Sequence, residues 1–258
     1  MKTTALITGA SSGIGRDLAV NHAARGGDLV LVARREDRLN RLAAEIIDKY
    51  GVDAVVLTRD LARPGGAAEL HAEVASRELM VDVLINNAGF GQVGPFHEID
   101  AARHETMIQL NVLALTQLTH AFLPEMIARG QGRVLNVAST AAFVPGPSQA
   151  VYFATKAYVL SLTEALAVEL EGTGVTATAL CPGATSTEFA EQAQAGRKRM
   201  FTSGAAHSAE VAEFGYAAML RGETVAIHGR KNRLMPPLLR AVPRKTAARL
   251  AGKVMERE

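Results

Sequence analysis

Short apolar runs alternate with longer segments of helical periodicity from the N-terminus to about residue 228. The runs 3–8, 28–33, 54–58, 81–85, 133–137, 175–180 and 224–227 are apolar at consecutive rather than alternate positions. Consecutive apolar residues in so short a run predict strands buried on both faces, the condition of a parallel sheet. The segments 13–25, 36–49, 64–78, 102–128, 150–171 and 208–221 predict the helices that cover it. The alternation specifies an α/β fold, a doubly wound parallel seven-stranded sheet with helices on both faces. No repeat, low-complexity tract or linker divides it, so 1–258 reads as a single domain.

Composition narrows this picture only at its edges. The 258 residues are 48% hydrophobic and 21% charged, which excludes a disordered or fibrous chain. Cys181 is alone, and no charged-then-apolar leader precedes the first strand, so a reducing cytoplasm is expected and secretion is not. The best membrane-span candidate, 107–128, holds Gln109, Asn111, Gln117, His120 and Glu125 and is interrupted by Pro124, which fits a buried helix better than lipid. A net charge of +2 gives no reason to expect nucleic acid. It is unevenly spread, because 230–258 holds nine Lys or Arg against two Glu, a local +7. The extension 229–258 is therefore basic and proline-broken. The favoured reading packs its apolar side, Leu234, Leu238, Leu239 and Val242, on the domain; contact with a membrane surface is the weaker alternative.

Chemistry enters at Thr8-Gly9-Ala10-Ser11-Ser12-Gly13-Ile14-Gly15, between the first strand and the first helix. Glycines there permit a tight turn and close approach of the backbone to a diphosphate, which the free amides and dipole of the helix start favour. Nineteen residues after Gly15, at the end of the second strand, stand Arg34 and Arg35. Arginine at this place suits a ribose 2′-phosphate, whereas Asp or Glu would suit the 2′-hydroxyl, so NADP(H) is expected in preference to NAD(H). The competing reading makes Arg34, Arg35 and Arg38 the solvated face of the next helix.

Tyr152-Phe153-Ala154-Thr155-Lys156 opens a long helix, and its spacing of four puts Tyr152 and Lys156 on one face. The ammonium there is expected to lower the phenol from its ordinary pKa of about 10, making Tyr152 a usable acid or base. Alone, such a pair is a common helix-surface accident. Ser139 supplies context, because it lies just beyond the fifth strand. In a parallel sheet the ligand crevice opens at the carboxyl ends of the strands, where Gly9, Arg34, Asp60, Asn87, Ser139 and Pro182 all fall.

With these residues in order, the sequence resembles a short-chain dehydrogenase/reductase of the single-domain, NADP-preferring kind with a C-terminal extension. The resemblance rests on 8–15, Asn86-Asn87-Ala88-Gly89, Asn111, Ser139, Tyr152-x-x-x-Lys156 and Pro182-Gly183. It implies the strand order 3-2-1-4-5-6-7 and Tyr152 as general acid in carbonyl reduction or base in alcohol oxidation. Ser139 is implied to hydrogen-bond the substrate oxygen, Lys156 to bind the nicotinamide ribose and tune Tyr152, and Asn111 to hold a relay water. Cofactor contacts are implied at Gly9, Ser11, Ser12, Gly13, Ile14, Gly15, Arg34, Arg35, Asp60, Leu61, Asn87, Ala88, Gly89, Tyr152, Lys156, Pro182, Gly183 and Thr187. Asn86, Asn87 and Asn111 also admit a purely local role, pinning a turn or a neighbouring backbone group.

His97, His104, His120 and His207 show no ligand spacing, so no metal is expected, and Cys181 lacks a partner base for a nucleophilic role. The segment 184–207 corresponds to the variable substrate loop, mixing Phe189, Met200 and Phe201 with Arg197, Lys198 and Arg199. A small carbonyl or alcohol is the expected substrate, and a homodimer or homotetramer built on 102–128 and 150–171 the expected assembly. The alternative function is an NADP(H)-sensing protein without significant turnover.

Overall fold

A computed structural model describes residues 2–189, 193 and 205–256. In chain order the first elements are β1 (Thr4–Thr8), α1 (Gly13–Ala23), β2 (Asp28–Ala33), α2 (Glu36–Tyr50), β3 (Ala54–Thr58), α3 (Gly66–Ser76) and β4 (Val83–Asn86). There follow α4 (Ala101–Ile108), a π turn (Gln109–Ala114), α5 (Leu115–Ala128), β5 (Gly132–Val137), a 3₁₀ turn (Thr140–Phe143), α6 (Ala150–Glu169) and β6 (Val175–Cys181). The last part holds β7 (Thr185–Ser186), β8 (Ala206–His207), α7 (Ser208–Leu220), β9 (Val225–Ile227), α8 (Arg230–Arg240) and α9 (Arg244–Glu256).

The large sheet is parallel throughout and ordered β3-β2-β1-β4-β5-β6-β9, the expected order with β9 as its seventh strand. Its strands are apolar at consecutive positions because helices cover both faces. Ile7, Leu31, Ile85 and Leu135 point into one core with α1, α2 and α7. Their chain neighbours Leu6, Val30, Leu84 and Val134 point into the other, with α3 and α5. Truncating any of these fully buried side chains to alanine removes contacts worth about 2–5 kcal/mol.

Four features differ from expectation. The helix expected over 102–128 is split by the π turn, and Pro124 lies inside α5 without ending it. The extra residue of a π turn alters the facing of the helix surface. Here it carries Asn111, whose amide bridges both backbone groups of Phe90 in the loop after β4. The described helix long and apolar enough to cross a membrane is α6, not 107–128. Its buried side includes Tyr152, Lys156 and Thr163, and its other side leaves Tyr158 and Val168 exposed. β7 and β8 form a separate two-stranded ladder that bridges the two ends of the expected substrate loop.

The fourth difference concerns the C-terminal extension. It is broken at Pro243, between α8 and α9, while α8 runs through Pro236 and Pro237. Its expected apolar side does not pack inward. Leu239 and Val242 are half-buried, but Leu234 and Leu238 are 64% and 67% exposed. The inward positions are instead Met235, Ala247 and Ala251, short or flexible side chains that let two helices lie close to the strand ends.

Candidate active site

The turn after β1 is fixed by groups arriving from β4. Thr8 Oγ1 accepts from the backbone amides of Asn87 and Ala88, each at 3.0 Å, and donates to Ile85 O at 3.3 Å. Asn87 Nδ2 donates to Thr8 O at 2.9 Å and Gly9 O at 3.3 Å. The packing leaves no room at Gly15, where a Cβ would lie 2.3 Å from Asn87 Nδ2 and 2.5 Å from Gly9 O. Asn87 therefore pins the turn, and Asn86 points away into a buried ladder, donating to Thr119 Oγ1 at 3.0 Å and Asn136 Oδ1 at 2.9 Å.

Ser12 precedes α1 in extended conformation without capping it, so the first amides of the helix have no side-chain acceptor. Its hydroxyl accepts instead from Arg35 at 2.9 Å, and Arg35 also reaches Ser11 Oγ at 3.0 Å. Uncapped amides at the positive end of a helix, beside arginines, are the donor set a dinucleotide diphosphate requires. Gly13 and Ile14 open this helix, and Thr187 Cγ2 lies over Gly13, 2.9 Å from where a Cβ would stand.

Arg34 and Arg35 both sit beyond β2, but in different circumstances. Arg35 is joined to Glu188 Oε2 at 2.7 Å, and Arg38 holds the other oxygen of the same carboxylate. Arg38 first and Arg35 second keep Glu188 below the usual carboxylate range. Arg34 is exposed and has no partner among the described residues. Further along this edge Asp60 caps its own turn, accepting from Ala62 N at 3.0 Å, and Leu61 is buried.

The remaining candidates converge where β5, β6 and α6 meet. Ser139 lies just beyond β5 and caps the 3₁₀ turn, accepting from Ala141 N at 3.1 Å. It stands beside Tyr152 on the cleft wall and favours the ionised phenol. Lys156 Nζ donates to Val137 O at 2.7 Å and lies 5.8 Å from the Tyr152 ring centre. The expected depression of the phenol is not found. Burial pushes Tyr152 up to about 12, with the nearby Ser139 hydroxyl acting the other way, and burial brings Lys156 down to about 8. The charge of the ammonium was expected to govern the phenol, whereas desolvation of both groups dominates here.

Asn111 is buried, accepting from Phe90 N at 3.1 Å and donating to Phe90 O at 2.9 Å and Thr155 Oγ1 at 3.2 Å. Gly89 lies between this residue and the lysine, since a Cβ there would stand 3.0 Å from Asn111 Oδ1 and 3.6 Å from Lys156 Nζ. Pro182 O accepts from Thr140 N at 2.9 Å and faces the Ser139 hydroxyl, and Gly183 abuts Asn232 of α8. Cys181 is fully buried and burial pushes its thiol up to about 12, the opposite of a nucleophile.

Most of these groups border one cleft of about 600 Å³, polar along the turn after β1 and apolar beyond Tyr152, where Phe90, Leu110, Val144, Phe153, Phe189 and Met235 line it; Gly15, Arg38, Asn86, Asn111 and Cys181 stand behind its wall. The Phe189 and Tyr152 rings are 5.3 Å apart. Sequence reasoning missed Glu188, Arg103, Met235 and Ala251 as cleft residues and assigned Arg38 only to a solvated face. No local pattern marks them, because each reaches the cleft from a distant segment; Arg103 does so by stacking on Phe90 at 4.1 Å. Arg197, Lys198, Arg199, Met200 and Phe201 lie outside the described residues.

Comparison with known proteins agrees with this geometry. A family pattern described as short chain dehydrogenase matches residues 3–198. Sulfoacetaldehyde reductase 2 of Chromohalobacter salexigens is 39% identical over 191 residues, 73% of this chain and 75% of that protein. The chain spans 60% of the length of another relative of equal identity. A short-chain dehydrogenase from Sphingobium yanoikuyae, solved in complex with NADPH, has a TM-score of 0.82 and 36% identity, over 93% of this chain and 96% of that one. A Burkholderia phymatum protein of the same description, in complex with NAD, has a TM-score of 0.83 and 27% identity, over 93% and 92%.

Proposed function

The chain belongs to the short-chain dehydrogenase family, and on that premise we propose that it is an NADP(H)-dependent oxidoreductase acting on a carbonyl or secondary alcohol. The observation that carries the reading is the convergence of Ser139 and Tyr152 at the apolar end of the cleft, with Lys156 one helical turn beyond Tyr152. When bound, the nicotinamide dinucleotide supplies or accepts the hydride. The uncapped start of α1 holds its diphosphate, and Arg34, without a partner among the described residues, takes the 2′-phosphate.

In reduction, Ser139 donates to the substrate oxygen and orients the carbonyl. Tyr152 then gives its phenolic proton to that oxygen as the carbonyl carbon gains the hydride, so the alcohol forms and a phenolate remains. A phenol that keeps its proton through the neutral range is ready for this role, and the neighbouring ammonium of Lys156 stabilises the phenolate that results. Asn111 Oδ1 and Lys156 Nζ face the same space at Gly89, which suits a relay water that returns the proton. In oxidation the same groups act in reverse.

The apolar half of the cleft favours a substrate with a hydrocarbon body. The exposed side chains of Ile108, Leu113, Tyr158 and Val168 on α4 to α6 support self-association of this cytoplasmic, single-domain protein. The test is reduction of a panel of ketones and aldehydes with NADPH or NADH, by the native protein and by Arg34→Ala. NADPH is expected to be the better coenzyme, and Arg34→Ala to weaken NADPH by about tenfold or more while leaving NADH nearly unchanged, since a charged hydrogen bond is worth about 1.5–3 kcal/mol. Equal losses for both coenzymes remove the 2′-phosphate assignment, and tight NADPH binding with no turnover of any carbonyl favours a sensor.

A further inference from the structure

The outward side of α8 and α9 is unlike the rest of the surface. Leu234 and Leu238, one turn apart, are 64% and 67% exposed, and Leu250 is 53% exposed. Arg230 and Lys231 flank the α8 leucines, and Lys245, Arg249 and Lys253 recur every fourth residue along the exposed side of α9. Elsewhere Arg16, Arg25, Arg59 and Arg77 are paired with carboxylates, Arg34 at the cleft being an exception. Among the described residues, none of Arg230, Lys231, Arg240, Lys245, Arg249 and Lys253 has an ion-pair partner.

From this surface we infer that α8 and α9 dock the protein on an anionic phospholipid bilayer, leucines entering the interface and the flanking cations meeting the headgroups. Unpaired cations around bare leucines are the composition of an interfacial helix, whose long basic side chains reach up to the phosphates while its apolar residues sink. Nucleic acid would match the charge but leave the leucines in water. A second copy on a two-fold axis would bring like charges together.

Met235 and Ala251 of the same helices line the cleft. A docked molecule therefore places its cleft beside the membrane, which suits a carbonyl or alcohol substrate that partitions into lipid. This choice of substrate rests on the oxidoreductase reading; the docking rests on the surface alone.

Flotation of the full chain with vesicles of phosphatidylcholine, or of phosphatidylcholine mixed with phosphatidylglycerol, tests it at low and high salt. Binding is expected to the anionic vesicles only and to weaken with salt. Each cation near such a surface multiplies partitioning about fivefold, so Lys245→Glu/Arg249→Glu/Lys253→Glu is expected to weaken binding at least tenfold. Leu234→Ser/Leu238→Ser is expected to weaken it as well. All five side chains are exposed, so the variants are expected to fold and to keep their turnover of a water-soluble ketone. No binding, equal binding to neutral vesicles, or binding unchanged in both variants overturns the inference. So does an oligomer in solution that the leucine variant dissociates, which would assign the face to a second copy. Vesicle binding without turnover of any carbonyl upholds the docking and overturns only the oxidoreductase reading.

Discussion

Lys156 is the residue whose environment is furthest from what its spacing to Tyr152 suggests. Buried and hydrogen-bonded to Val137 O, it titrates near about 8 rather than at its ordinary 10.5. The folded protein therefore releases a proton that the unfolded chain keeps between about pH 8 and 10.5, and stability attributable to this residue rises with pH across that interval. Below it, the cost of burying the charge is fully present. Thermal unfolding of the native protein and Lys156→Met, compared over this range, is expected to show the native protein gaining on the variant by at most about 3 kcal/mol. A constant difference would place the ammonium in a solvated site. Tyr152, Lys156 and Ser139 were each legible in the sequence as residues, because their spacing and strand-end position are local facts. Their protonation behaviour was not, because desolvation is a property of what the folded chain packs around them.

At the level of elements, the strand-to-helix alternation was readable because each strand is buried on both faces and each helix on one. The junctions were less so. The π turn of Gln109–Ala114 carries no composition signal, and its reason is the distant backbone of Phe90. The turn from β1 to α1 was readable from its glycines, and the structure adds why Gly15 is needed, since Asn87 and Gly9 O occupy the place of a side chain. Gly15→Ala is expected to lose about 1–3 kcal/mol of stability from overpacking and to weaken NADPH, because the turn must shift from the diphosphate position. Calorimetry and coenzyme titration check this together. Unchanged stability and unchanged NADPH affinity would mean that the turn yields without cost. The C-terminal extension was misread for a related reason: its pattern marks an amphipathic helix but not which face turns inward, and the small Ala247 and Ala251 take the inward places.

Across the whole molecule, one edge of one sheet gathers groups from widely separated parts of the chain. β1 and β2 contribute the turn and arginines of the polar half, β5 and α6 the Ser139, Tyr152 and Lys156 group, and α8 and α9 the far wall of the apolar half. Glu188 shows what no sequence pattern reveals, a carboxylate from beyond β7 paired with two arginines that follow β2. The account claims that this assembly is a catalyst whose proton passes through Tyr152. The most direct measurement is single-turnover hydride transfer from NADPH to a ketone the native protein reduces, repeated with Tyr152→Phe. The variant is expected to bind NADPH nearly as tightly, since it lacks only a hydroxyl, and to transfer the hydride about 10²–10⁴-fold more slowly. Transfer at the native rate would contradict the account.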